Sequence, residues 1–147
     1  MVFIRKVFLS FIFIVFLNGC MPNFVAKYDV IIDKSITSLH KSTLIFLTKM
    51  ELSSKSNRVY SKNKSFYIES SAIIKSLLTR SIVLEEKLNK KLLTKNFKDL
   101  NFQYLELQKE HKKGVGSIYF KGVSNSFNRS FGAIIKQLQV YKWNNSK

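Results

Sequence analysis

The chain has 147 residues, with 25 lysines and arginines against nine aspartates and glutamates, for a net charge of +16. That length suits one domain with a modest core. A single cysteine excludes an intrachain disulfide, a cysteine zinc cluster, a thioredoxin-like pair and a haem-attachment motif, so packing alone is expected to hold the fold.

Arg5 and Lys6 give the start of the chain a positive charge, and Val7 to Leu17 is apolar except for Ser10. This run is about half of the roughly 20 residues a spanning helix needs. A charged start, a short apolar core and a small-residue exit mark a secretory signal rather than a membrane span. The exit reads Leu17-Asn18-Gly19-Cys20, which resembles the lipobox of bacterial lipoproteins. The resemblance implies a diacylglyceryl group on the Cys20 sulfur and cleavage before that residue. Gly19 supplies the small side chain the peptidase needs, and Leu17 the branched apolar one. Asn18 departs from the usual small or apolar residue. The chain then divides into a signal peptide, 1–19, and a lipid-tethered domain, 20–147. An ordinary cleaved signal and an uncleaved anchor are the alternatives. Met21, rather than aspartate, follows the cysteine, which favours the outer membrane under the enterobacterial sorting rule.

Between Phe24 and Lys113 there is neither glycine nor proline, which favours long helices. Tyr28, Ile32, Ser35, Leu39, Thr43, Phe46 and Met50 recur at spacings of three and four and predict a first helix beginning near Phe24, with Asn23 as N-cap. The polar, basic stretch Ser53–Ser65 predicts a turn. Tyr67, Ile74, Leu77, Ser81 and Leu84 predict a second helical face, and Leu84–Leu93 either extends it or forms a loop. Phe97, Leu100, Tyr104, Leu107 and His111 predict a third, with Asn96 and Asp99 as a capping pair. The glycines between Lys112 and Gly122 predict a connection, and Ser117–Phe120 is either a strand-like turn or the start of the next helix. Phe127, Phe131, Ile134, Leu138 and Tyr141 predict the fourth. The expected fold is all-α, an antiparallel four-helix bundle.

Several residues in these helices resemble a widespread type of uncharacterised bacterial lipoprotein with a helical-bundle domain. They are Tyr28-Asp29 with Asp33, Leu39, Phe46-Leu47, Phe66-Tyr67, Arg80, His111-Lys112, Phe127-Asn128, Phe131 and Ile134-Ile135. The resemblance implies fold and location and carries no activity.

Candidate chemistry is sparse. Asp29 and Asp33 share a helix face, which suits either a cation site or the favourable charge of a helix start, and the second is preferred. A di-iron bundle needs Glu-x-x-His pairs, and none is present. His40 is expected at a boundary, and His111 at a helix end where a cationic tip is favourable. No Gly-x-Ser-x-Gly elbow exists, and Gly114 with Gly116 lacks the lysine of a phosphate loop. Arg80 is expected to pair with Asp29 or Asp33 across the bundle.

The lysine excess reflects either an AT-rich genome or a function. Phosphate neutralisation would suit nucleic acid, but export argues against that partner. A helix starting near Phe24 would lie at most roughly 14 Å from Cys20, at ~3.5 Å per residue. Lys87, Lys90, Lys91, Lys95, Lys142 and Lys147 would then sit on the membrane side. Lys55, Arg58, Lys62, Lys64, Lys112 and Lys113 would form a patch at the opposite end, suited to an anionic ligand. The expectation is a non-enzymatic, cofactor-free envelope module held by N-terminal lipid, with an acidic envelope component or another envelope protein as partner. The alternative is a binder of phospholipid, lipopolysaccharide or glycan through its basic patches.

Overall fold

The computed structural model describes residues 27–146. Four helices follow in order: α1 (Val30–Leu52), α2 (Lys64–Leu84), α3 (Leu92–Lys112) and α4 (Ser117–Asn144). A single 3-10 turn, Tyr60–Asn63, precedes α2, and no strand occurs among the described residues. Each helix packs on two neighbours: α1 on α2 and α4, and α3 on the same two. Cross-helix contacts fix the directions. Asp29 before α1 meets Arg80 late in α2. Tyr67 early in α2 meets His111 late in α3. Phe46 late in α1 meets Phe120 early in α4. The bundle is therefore antiparallel, as the periodicity predicts.

Apolar residues on one face of each helix close the core. Ile32, Ile36, Leu39, Phe46, Leu47 and Met50 face inward from α1, with Ile36 in place of the expected Ser35. Tyr67, Ile74 and Leu77 do so from α2, where the small residues Ser70 and Ser81 are also buried. α3 contributes Leu93, Phe97, Leu100, Tyr104 and Leu107, and α4 Phe120, Phe127, Phe131, Ile134, Leu138 and Tyr141. Burying one such side chain stabilises by roughly 1.5–3 kcal/mol, so this shared interior is the main force holding the bundle.

The helix ends differ from expectation in three places. α1 begins at Val30, with Asp29 as its N-cap, because the Asp29 carboxylate accepts from the backbone of Ile31 and Ile32. The anticipated cap Asn23 lies outside the described residues. α3 begins at Leu92, so Asn96 and Asp99 lie inside it and do not cap it. The span Leu84–Leu93 divides into the end of α2, a turn over residues 85–91, and the start of α3. The last connection shrinks to residues 113–116, and Gly122 is helical. Gly114 makes that turn possible. Its φ of +82° is the left-handed conformation that ends helices, and its N–H donates to the His111 carbonyl at 3.0 Å.

Candidate functional site

The bundle has two ends of different character. The entry end carries the start of α1, the end of α2, the start of α3 and the end of α4. The far end carries the α1–α2 and α3–α4 connections.

At the entry end, one carboxylate ties α1 to α2. Asp29 Oδ1 accepts from Ile31 N–H at 2.8 Å and Ile32 N–H at 3.2 Å. Its Oδ2 accepts from Arg80 Nη2 at 2.8 Å and Nε at 3.1 Å. Partial burial alone would raise the Asp29 pKa. The Ile32 N–H, the Arg80 guanidinium and the Ile31 N–H outweigh it and hold the carboxyl below its usual value. The expected cross-bundle pair is therefore Asp29–Arg80. Asp33 is engaged separately, accepting from the Tyr28 hydroxyl at 2.5 Å.

A second carboxylate at this end is completely buried. Glu85 is 0% exposed. Its Oε1 accepts from Leu93 N–H at 2.9 Å and from the Tyr141 hydroxyl at 2.5 Å. Its Oε2 accepts from Thr94 N–H at 2.8 Å. Lys91 occupies the N-cap position of α3 without a capping side chain, so Glu85 satisfies the orphan N–H groups from the preceding helix. Thr94 Oγ1 donates onward to Ser81 Oγ at 3.2 Å. Burial, then the Glu85 carboxylate, push the Tyr141 hydroxyl far above its ordinary pKa. The sequence reading missed Glu85. The available signal was its phase: with Leu77 and Ser81 it continues the buried stripe of α2.

At the far end, His111 is 1% exposed. A carbonyl can only accept, so its Nε2–H donates to the Arg58 carbonyl. Nδ1 is then the acceptor for the Tyr67 hydroxyl, at 2.8 Å. Burial lowers the His111 pKa against the opposing pull of the Arg58 carbonyl. The expected cationic tip is thus a neutral imidazole locked in one tautomer, because both ring nitrogens are already committed. Rings of Phe46, Tyr60, Tyr67 and Phe120 surround it. His40 lies at the boundary, as expected, with Nε2 3.0 Å from Asn128 Oδ1 and its ring stacked on Phe131.

The six cations predicted at the far end all lie there. Lys55, Lys62, Lys64, Lys112 and Lys113 are exposed, and Arg58 is half-buried. Three of the six are engaged within the fold. Arg58 Nη1 donates to the Ser53 carbonyl just past α1, and Lys113 Nζ pairs with Glu110 at 2.5 Å. Lys112 Nζ lies 5.2 Å from the centre of the Tyr60 ring. Lys55, Lys62 and Lys64 lie along the connection and the first turn of α2.

Three shallow clefts of about 250–300 Å³ each lie along the α1–α2 seam. Ile31, Ile73, Leu77 and Val83 line them with serines and Arg80, and neither histidine does. Among the described residues, no three His, Cys, Asp or Glu side chains converge as metal ligands. Cys20, the predicted lipid attachment point, lies outside the described residues. No family model, no curated protein and no solved structure matches the chain.

Proposed function

We propose that the protein is a lipid-tethered lipoprotein of the bacterial envelope, whose bundle serves as a non-enzymatic structural or interaction module. The observation that carries this reading is the lipobox-like Leu17-Asn18-Gly19-Cys20 behind a basic, then apolar, leader, with the chain's one cysteine at the modified position. The fate of the polar side chains supports the second half. Asp29, Asp33, Glu85 and His111 are all engaged in holding helices or caps. The outer membrane is the preferred location, on the identity of Met21.

Because α1 begins at Val30 rather than near Phe24, the upper bound on the tether's reach is larger. From Cys20 to Val30 the chain reaches at most roughly 35 Å at ~3.5 Å per residue. Two or more acyl chains would hold the domain firmly, whereas one anchors marginally.

The deciding experiment compares wild type with Cys20→Ser by intact mass and detergent partition after expression in a bacterium. A triacyl mass gain and detergent-phase partition, both lost in the variant, are expected. An unmodified product left in the aqueous phase would overturn the anchoring reading.

A second reading rests on the exposed Lys55, Lys62 and Lys64 at the far end. They suit an anionic envelope ligand such as phospholipid, lipopolysaccharide or glycan. Salt-sensitive retention on such ligands, lost on reversing these three charges, would favour it over a purely structural role.

A further inference from the structure

We infer that the entry end of the bundle is itself a membrane-contact face, which lies on an anionic bilayer surface and orients the domain on its tether. Four helix ends meet here, and each leaves apolar side chains in water. Val30 and Ile31 open α1 at 49% and 52% exposure, and Ile82 and Val83 close α2 at 45% and 68%. Leu92 opens α3 at 46%, and Trp143, the chain's single tryptophan, ends α4 at 61%. All lie in the first or last turn of their helix. Apolar side chains with a tryptophan at their edge are what the headgroup boundary of a bilayer accommodates.

Charge at this end is predominantly positive. Lys27, Lys87, Lys90, Lys91, Lys95 and Lys142 are exposed. Most of the carboxylates that would offset them are engaged within the fold. Asp29 is held by Arg80, Asp33 by Tyr28, and Glu85 is buried in the cap of α3, which leaves Glu86 as the exposed acid of the turn. At the far end, by contrast, Lys109 and Lys113 pair with Glu106 and Glu110. A surface that combines exposed apolar groups with unbalanced lysines is complementary to anionic phospholipid, because the cations gain from the surface potential and the apolar groups from shallow insertion. No helix among the described residues is long and apolar enough to cross a membrane, so the contact is interfacial. The orientation follows the proposed anchor, since α1 begins at this end and Cys20 precedes it in the chain. The inference rests on that reading for its geometry only.

Trp143 makes the test direct. The mature chain, carrying whatever its Cys20 acquires in the cell, is mixed with vesicles of phosphatidylcholine alone or with added phosphatidylglycerol, some with brominated acyl chains. With phosphatidylglycerol, Trp143 emission is expected to shift to the blue, to be quenched by the brominated lipid and to be shielded from iodide. Lys87→Glu/Lys90→Glu/Lys95→Glu is expected to abolish these changes, and in the Cys20→Ser background to weaken vesicle binding roughly a hundredfold. Lys55→Glu/Lys62→Glu/Lys64→Glu is expected to leave them intact. Unaltered circular dichroism and melting temperature establish that the variants fold. Emission that stays red and iodide-accessible on anionic vesicles, while the lipid still holds the protein there, would overturn the face and leave the anchor standing. Blue-shifted emission on anionic vesicles without acylation of Cys20 would do the reverse.

Discussion

Glu85 ends α2 but caps α3: its Oε2 accepts the Thr94 N–H at 2.8 Å, and its Oε1 binds both the Leu93 N–H and the Tyr141 hydroxyl. Glu85→Ala leaves three buried donors without their partner. At roughly 1–3 kcal/mol for each unsatisfied group, the expected loss is about 3 kcal/mol or more. Tyr141→Phe alone removes one bond, for about 1 kcal/mol. Urea melts of the two variants and their double mutant check the coupling. Additive effects would show that the two residues act separately.

Arg80 and Asp29 form a two-bond pair at an edge, with Arg80 more than a third exposed. Partly solvated pairs contribute little, so Arg80→Met is expected to cost only about 1 kcal/mol. Asp29→Ala also removes the N-cap of α1 and should cost more, about 1–2 kcal/mol. Equal losses in thermal melts would mean that the capping bonds contribute nothing.

The lowered pKa of Asp29 has a defined consequence on the acid side. Its stabilisation is complete above the unfolded-state pKa near 3.8 and is lost as pH falls through the lower folded value. In Asp29→Asn the decline of melting temperature below pH 4 should be shallower than in wild type. Parallel acid limbs would assign the decline to other carboxylates.

His111 sets a second window. Its folded pKa lies below the ordinary 6.5, so the unfolded chain takes up the proton first. Stability should be full above about pH 6.5 and fall as pH drops from there toward the folded pKa. His111→Gln should start from a lower melting temperature, since the ring is buried, but lose the slope in this range. A slope that survives the substitution would clear His111 of that role.

Tyr104 is the third buried test. Thr43 donates to the Leu39 carbonyl at 2.7 Å and so must accept from the Tyr104 hydroxyl. Thr43→Val should cost roughly 1–3 kcal/mol by removing the acceptor of that hydroxyl, which is left with Ser70 as its polar neighbour, and adding Tyr104→Phe should recover part of it. Failure of the second change to restore any stability would point to the lost Thr43–Leu39 bond instead.

The helical faces were legible because a 3.6-residue period is local and repeats. Phe97, Leu100, Tyr104, Leu107 and His111 read directly as the buried stripe of α3. The Asp29–Arg80 pair was legible because antiparallel neighbours fix which ends meet. The helix ends were harder. Capping rules look one turn away, whereas the cap of α3 comes from the end of α2, and a distant carboxylate leaves no spacing signal. The charge state of His111 was misjudged for a related reason. A helix end favours a cation only when it meets water, and the α1–α2 connection covers this one with the Arg58 carbonyl.

The capping of α3 by Glu85 also imposes an order of events. For a chain emerging amino end first, α2 and α3 can close on each other as soon as both are free, because the carboxylate and the N–H groups it binds lie on either side of one short turn. Tyr141, three residues before the end of α4, arrives last. Until then the carboxylate has no lid, and water competes for the cap. A chain truncated before Tyr141 would hold that hairpin with its internal anion still wet, so the last turn of α4 completes this end of the core.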